Sequence, residues 1–143
     1  MEKIRISGIE VAHGKNIVNN KYYIEHFKKQ GKDVEKLYKE VMGRENRYVM
    51  DREKENALTM AIESSRKVLK SCNLTGKDID MIVYSGMLSE FLSPTSALFI
   101  HNAIEGKAEC FCHDMNVNCI GMTYALDLIN RYMSANENVN RVL

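Results

Sequence analysis

Cys119 occupies a position suited to chemistry. It lies in the stretch AECFCHDMNVNCIGMTYALDLINRYM, residues 108–133, which reads as a strand over 108–114, a tight connection through Met115, Asn116, Val117 and Asn118, and a helix beginning at or beside Cys119. The first-turn N–H groups of a helix lack intrahelical partners and carry the positive end of its dipole. A thiol held there has its pKa lowered and finds N–H donors for a developing oxyanion, so the chemistry implied is attack by a cysteine thiolate. The plain alternative is that Cys119 is a buried small residue, because free cysteine is among the residue types most often inside.

The helix that follows must be well covered. Ten of the fifteen residues from Cys119 to Met133 are apolar. The polar positions, Thr123, Asp127, Asn130, Arg131 and the following Ser134, fall on one stripe at helical spacing. Gly121 and Ala125, four apart, leave part of the surface smooth enough for a close backbone approach. Cys110, Cys112 and His113 suggest a metal, but along a strand the two thiols point to one face and the imidazole to the other, so no metal site is expected. His101 is read as a surface or interface residue, and Cys72, on the apolar face of another helix, as core.

The elements that must position Cys119 alternate. Ile4, Ile6, Ile9 and Val11 suggest a first strand over 3–12, ended by His13 and Gly14. A helix over 21–30 has Asn19 and Asn20 to cap it and Gly31 to stop it. A short helix over 33–42 follows, then a connector, MGRENRYVMD, carrying Arg44 and Arg47. An amphipathic helix over 55–72 exposes Glu63 and Lys67 as an i, i+4 pair. Residues 79–84 form an apolar strand. The loop SGMLSEFLSP leads to Pro94 and a helix over 95–104, ended by Gly106. Asn136–Asn138 make a polar turn, and 140–143 open a further strand. Alternating strands and helices predict an α/β fold with a mostly parallel sheet and crossover helices. No G-x-G-x-x-G follows the first strand and no Walker loop occurs, so the nucleotide-binding α/β folds lose their signature.

Bulk properties fit that architecture. The 143 residues are 45% hydrophobic and 27% charged, ordinary values for one soluble domain. A formal charge of +1 argues against nucleic acid or an anionic membrane as a partner. Lys28, Lys29, Lys32, Lys36 and Lys39 cluster, either as a solvated face or as a contact for an acidic carrier protein or a CoA phosphate. No apolar run approaches the ~18 residues of a membrane span, and four cysteines without paired spacing suit a reducing cytoplasm.

The segment DMNVNCIGMTYALDLI resembles the nucleophile segment of ketoacyl-ACP synthase III, a condensing enzyme of the thiolase superfamily. ISGIEVAHGKNIVNN, MGRENRYV, LTGKDIDMIVYSG and SPTSALFIHNAIEG match in the same order, so the resemblance covers the chain but only the first half of such an enzyme. It implies that residues 1–143 are an N-terminal thiolase-like half-domain, truncated at the start of its fourth strand, with the C-terminal half absent and a buried helix behind the nucleophile. Cys119 would take an acyl group from acyl-CoA or an acyl carrier protein, and malonyl-ACP would extend it by decarboxylative Claisen condensation in fatty-acid or specialised lipid synthesis. No cofactor is implied, and the working form would be a homodimer.

The His and Asn of the condensation step would come from the missing half, since His13, His26, His101 and His113 match neither motif. The resemblance also makes Met87, Leu88, Phe91 and Leu92 candidates to line an acyl pocket, partly the neighbouring subunit's. Packing on the sheet is the other reading of those four side chains. Aligning on Gly43 places Leu37 and Val41 where the family holds the adenine end of CoA with Trp and Arg, so the usual CoA grip is missing. A non-catalytic module or truncated product that pairs with another chain, and a hydroxymethylglutaryl-CoA synthase-type enzyme, are the alternatives.

Overall fold

Asn19 sets the start of the first helix. Its side chain accepts the Lys21 N–H at 2.9 Å, and helix α1 runs Asn20–Lys28. The computed structural model describes residues 4–87 and 89–143, which fall into two units, 13–56 and 4–12 with 57–143.

In the unit of residues 13–56, strand β1 (Asn16–Asn19) pairs antiparallel with β2 (Asn46–Val49), Asn16 opposite Val49 and Asn19 opposite Asn46. The expected connector thus contains a strand. The helix expected over 33–42 contains a π-helical turn, Leu37–Val41, closed by Met42 N–H to the Leu37 carbonyl at 2.9 Å. Arg47 ties these pieces together. Its guanidinium stands 4.7 Å from the Tyr23 ring centre and 4.5 Å from that of Tyr38, and donates to Asn20 Oδ1 at 2.5 Å. Asn20, buried, in turn donates to the Arg44 carbonyl at 2.6 Å, so both ends of its amide are satisfied.

The other unit carries the parallel pair. Strand β3 (Met81–Ser85) lies beside β4 (Phe111–Met115), in register from Met81 with Phe111 to Ser85 with Met115. Two helices, α2 (Ala57–Ser71) and α3 (Ser96–Ala103), pack together, and α3 supplies the crossover that a parallel pair requires. Their inward faces meet β3 in one core of Leu58, Leu69, Ile79, Ile82, Ala97 and Ile100, with Ile104. Full burial of such an aliphatic side chain is worth about 1.5–3 kcal/mol each, which makes this cluster the main source of the unit's stability. On its other edge β3 forms a parallel bridge from Met81 to Val142, with Leu143 N–H donating to the Met81 carbonyl at 3.0 Å. Residues 141–143 thus meet β3 through one isolated bridge, outside any named strand.

The strand expected over 3–12 does not form among the described residues 4–12. Ile6, Ile9 and Val11 are exposed, and the segment is held instead by Lys67 Nζ to the Val11 carbonyl at 3.2 Å and Cys72 Sγ to the Ser7 carbonyl at 3.8 Å. A strand needs a neighbour to satisfy its ladder, and residues 4–10 instead line an open groove of about 1390 Å³ with Ile82, Leu126, Met133 and Val142.

Asp80 fastens the last residues. Its carboxylate accepts from Asn140 N–H at 2.7 Å, from Arg141 N–H at 2.9 Å and from the Lys107 ammonium. Burial disfavours the charged form, but these donors outweigh it and hold the carboxyl below its ordinary range. A depressed carboxylate contributes stability that is full above its unfolded pKa of about 3.9 and is lost as pH falls through the lower folded value. Urea titrations from pH 7 downward should therefore show an acid limb that Asp80→Asn flattens, with the variant about 2 kcal/mol less stable at pH 7. An unchanged acid limb would remove Asp80 as its source.

Candidate active site

Strands β3 and β4 end side by side at Ser85 and Met115, the carboxyl edge of a parallel pair, where α/β folds place their ligand crevices. One more ladder bond, Gly86 N–H to the Met115 carbonyl at 3.2 Å, closes the pair. Beyond it the side chain of Asn116 takes over. Its Nδ2 donates to the Met87 carbonyl at 2.8 Å and its Oδ1 accepts the Asn118 N–H at 3.3 Å. Asn118 adopts φ 51°, a left-handed conformation that asparagine tolerates better than most residues.

The chain then makes a 3-10 turn, Asn118–Ile120, before helix α4, Gly121–Ala135. Cys119 sits in the middle of that turn, exposed, two residues ahead of the first residue of α4. This exposed residue is thus beside the positive end of the helix. Gly121 is buried against the end of β3, and a Cβ there would lie 2.2 Å from Ser85 Oγ. That close approach fixes the height of the turn above the strands. The helix expected to be buried is not: in α4 only Gly121 is buried, Ala125, Leu126, Leu128 and Ile129 are half-buried, and Met122 and Tyr124 face outward, with no described element of this unit over them.

Asp114, on β4, secures the approach to the turn. Its two carboxylate oxygens accept the N–H groups of Ser96 at 2.6 Å and Ala97 at 2.8 Å, the first turn of α3. The residue at the N-cap itself, Thr95, makes no capping bond, and its hydroxyl is buried without a partner among the described residues. A carboxylate from the strand that feeds Cys119 thus does the capping of a neighbouring helix.

The other thiols differ from Cys119. Cys110 and Cys112 are half-buried against the core, and burial, reinforced by the neighbouring thiol, pushes Cys110 up to about 12. Burial raises Cys112 as well, so both are held as unreactive thiols near neutral pH. Cys72 is half-buried beside Ser7. His113 stacks on Phe111, and among the described residues no three His, Cys, Asp or Glu side chains gather around a common point. His101 is a brace instead of a surface residue. Its Nε2 pairs with the Lys107 carbonyl at 2.9 Å, and its ring lies where a Cβ on Gly106 would be.

Of the four loop residues, Leu88 lies outside the described residues. Met87 and Leu92 are exposed, and Phe91 rests on Phe99 of α3 with ring centres 4.9 Å apart. Among the described residues, the start of the loop is joined to the nucleophile turn through the Met87 carbonyl. The sequence marks Asn116 as a loop hydrogen-bonder, from an Asn two residues before another Asn in a tight connection, but not its two partners. Asp114 carries no such signal, because that the Thr95 hydroxyl stays idle shows only in the structure.

No family model matches the chain. A β-ketoacyl-[acyl-carrier-protein] synthase III from Clostridium perfringens is 26% identical over 144 residues, covering 100% of this chain and 42% of that protein. A 3-oxoacyl-(acyl-carrier protein) synthase from Burkholderia xenovorans superposes with a TM-score of 0.87 at 22% identity, over 99% of this chain and 39% of that one. The chain resembles β-ketoacyl-ACP synthase III, and its fold is thiolase-like. A variant of OleA from Xanthomonas campestris superposes with a TM-score of 0.81 at 19% identity, over 95% of this chain and 42% of that one. The chain thus spans about two fifths of the length of the proteins it matches. Among the described residues no helix is long and apolar enough to cross a membrane.

Proposed function

We propose that this chain is the nucleophile-bearing, N-terminal half of an acyltransferase of the ketoacyl-ACP synthase III type. The observation that supports this most is the place of Cys119: exposed, on a turn clamped over the carboxyl ends of two parallel strands, beside the positive end of α4. In the proposed reaction the Cys119 thiolate attacks the carbonyl carbon of an acyl thioester. The carbonyl electron pair moves to oxygen, and collapse of that intermediate expels the thiolate of the donor, leaving the acyl group on Sγ. In the whole enzyme a malonyl thioester then loses carbon dioxide, its carbon bonds to the acyl carbonyl, and Cys119 leaves as thiolate. The His and Asn for that second step come from residues beyond this chain. The sheet continues past Val142 in the same reading, with a homodimer as the working form.

Incubating the protein with an acyl-CoA should add one acyl group, which peptide mass spectrometry places on Cys119. Cys119→Ala should remove the adduct while Cys72, Cys110 and Cys112 stay unmodified. An adduct that persists in Cys119→Ala would exclude this sulfur as the acyl carrier. If the wild-type protein takes no acyl group while its Cys119 is alkylated by iodoacetamide, the thiol is accessible but acyl transfer is the wrong reading.

A further inference from the structure

Asn116 sits where β3 and β4 part and the two loops above them begin. The last backbone bond of the ladder is Gly86 N–H to the Met115 carbonyl, and the next link is made by a side chain. The two partners of that side chain fix which end is which: a carbonyl, Met87 O, can only be met by the NH₂, and an N–H, that of Asn118, only by the oxygen. One amide thus holds the first residue of the apolar loop with one atom and the residue before Cys119 with another. We infer that Asn116 is a positioning residue that couples the Met87 loop to the nucleophile turn, so that discrimination between acyl chains depends on it. For its last clause only, the inference rests on the acyl-transfer reading of Cys119 and, within it, on contact between the Met87 loop and the acyl chain.

Two substitutions separate the two bonds. Asn116→Asp keeps an acceptor for the Asn118 N–H but faces the Met87 carbonyl with a carboxylate, so the turn is retained and the loop released. Asn116→Ala releases both. Two readouts report on the loop. The first is hydrogen exchange at the Gly86 amide, whose bond to Met115 the Asn116 link protects; it should quicken several-fold in both variants. The second is the ratio of octanoyl to acetyl loading on Cys119 from the corresponding CoA thioesters, which should shift by about threefold or more in both. Iodoacetamide labelling of Cys119 reports the turn. It should stay closer to wild type in Asn116→Asp than in Asn116→Ala, once compared at matched thiolate fraction along a pH profile.

Where the protein does load, an unchanged loading ratio in both variants overturns the discrimination clause and unchanged Gly86 exchange overturns the coupling, whatever happens to thermal stability. If the wild-type protein loads neither thioester while iodoacetamide labels Cys119, it is the acyl-transfer reading that fails. Gly86 exchange alone then decides the coupling, faster exchange upholding it and unchanged exchange overturning it.

Discussion

Asp114→Ala should lower unfolding stability by about 2–4 kcal/mol and slow the labelling of Cys119 together with it. The stability part follows from what the carboxylate holds. Two first-turn N–H groups of α3, on Ser96 and Ala97, are bonded to one ionised side chain, and hydrogen bonds to charged groups are worth about 1.5–3 kcal/mol each. Removal strands both donors in a part of the fold where Ser96 and Ala97 are buried and Thr95 offers no substitute. The reactivity part follows from where Asp114 stands. It is the penultimate residue of β4, two residues before Asn116 and five before Cys119, so the same anchor that starts α3 ends the strand under the nucleophile turn.

Asp114→Asn keeps one acceptor and loses the charge, so it should fall between wild type and alanine, at about 1–2 kcal/mol. Urea midpoints at constant m-value read the stability, and alkylation rates of Cys119 at fixed pH read the turn. Were Asp114→Ala to cost less than about 0.5 kcal/mol, the capping bonds would not be holding α3. Were it to cost stability without touching Cys119 labelling, the anchor would serve the core alone.

The contrast between what could and could not be read in the sequence has a physical basis. Helices α2 and α4 were legible because fifteen residues of 3.6-fold periodicity leave little room for another period. Strand β3 was legible because a short apolar run between turn signals has few other homes, and β4, FCHDM, from its place just before the helix; their bounds are Met81–Ser85 and Phe111–Met115 where 79–84 and 108–114 were expected. The pair β1 and β2 escaped because NIVN and NRYV are four residues each and half polar, and only their pairing identifies them. The strand expected over 3–12 had the opposite fate. Its alternation is genuine, but a strand is a relation between segments, and among the described residues helix α2 lies against it, with no strand to pair with.

At the site the same division holds. Cys119 and its turn could be read, since residue type and position carry that information. The tasks of Asp114 and Asn116 are long-range, reaching Ser96 and Met87 across 18 and 29 residues, and no local pattern encodes such partners.

Gly76→Ala tests the packing beneath the site and should be among the most destabilising single-methyl additions in this unit, at about 2–4 kcal/mol. Gly76 is buried at the head of a 3-10 turn, Gly76–Asp78, that leads into β3. A Cβ on it would stand 2.0 Å from the carbonyl oxygen of Ile104 and 2.8 Å from the carbonyl carbon, at the C-terminal end of α3. Both atoms are backbone, so no rotamer can relieve the clash, and either α3 or the lead to β3 must move. Gly8→Ala is the matched control. Its Cβ would meet Cys72 Sγ at 2.5 Å, the tip of a side chain that can turn away, and Cys72→Ala beside it should recover most of whatever is lost. The expected order of urea midpoints is therefore wild type, then Gly8→Ala, then Gly76→Ala well below. A Gly76→Ala protein within about 0.5 kcal/mol of wild type would mean that α3 does not press on this turn. The Asp114 clamp at the other end of the same helix would then have to hold it in place with little help from packing at Ile104.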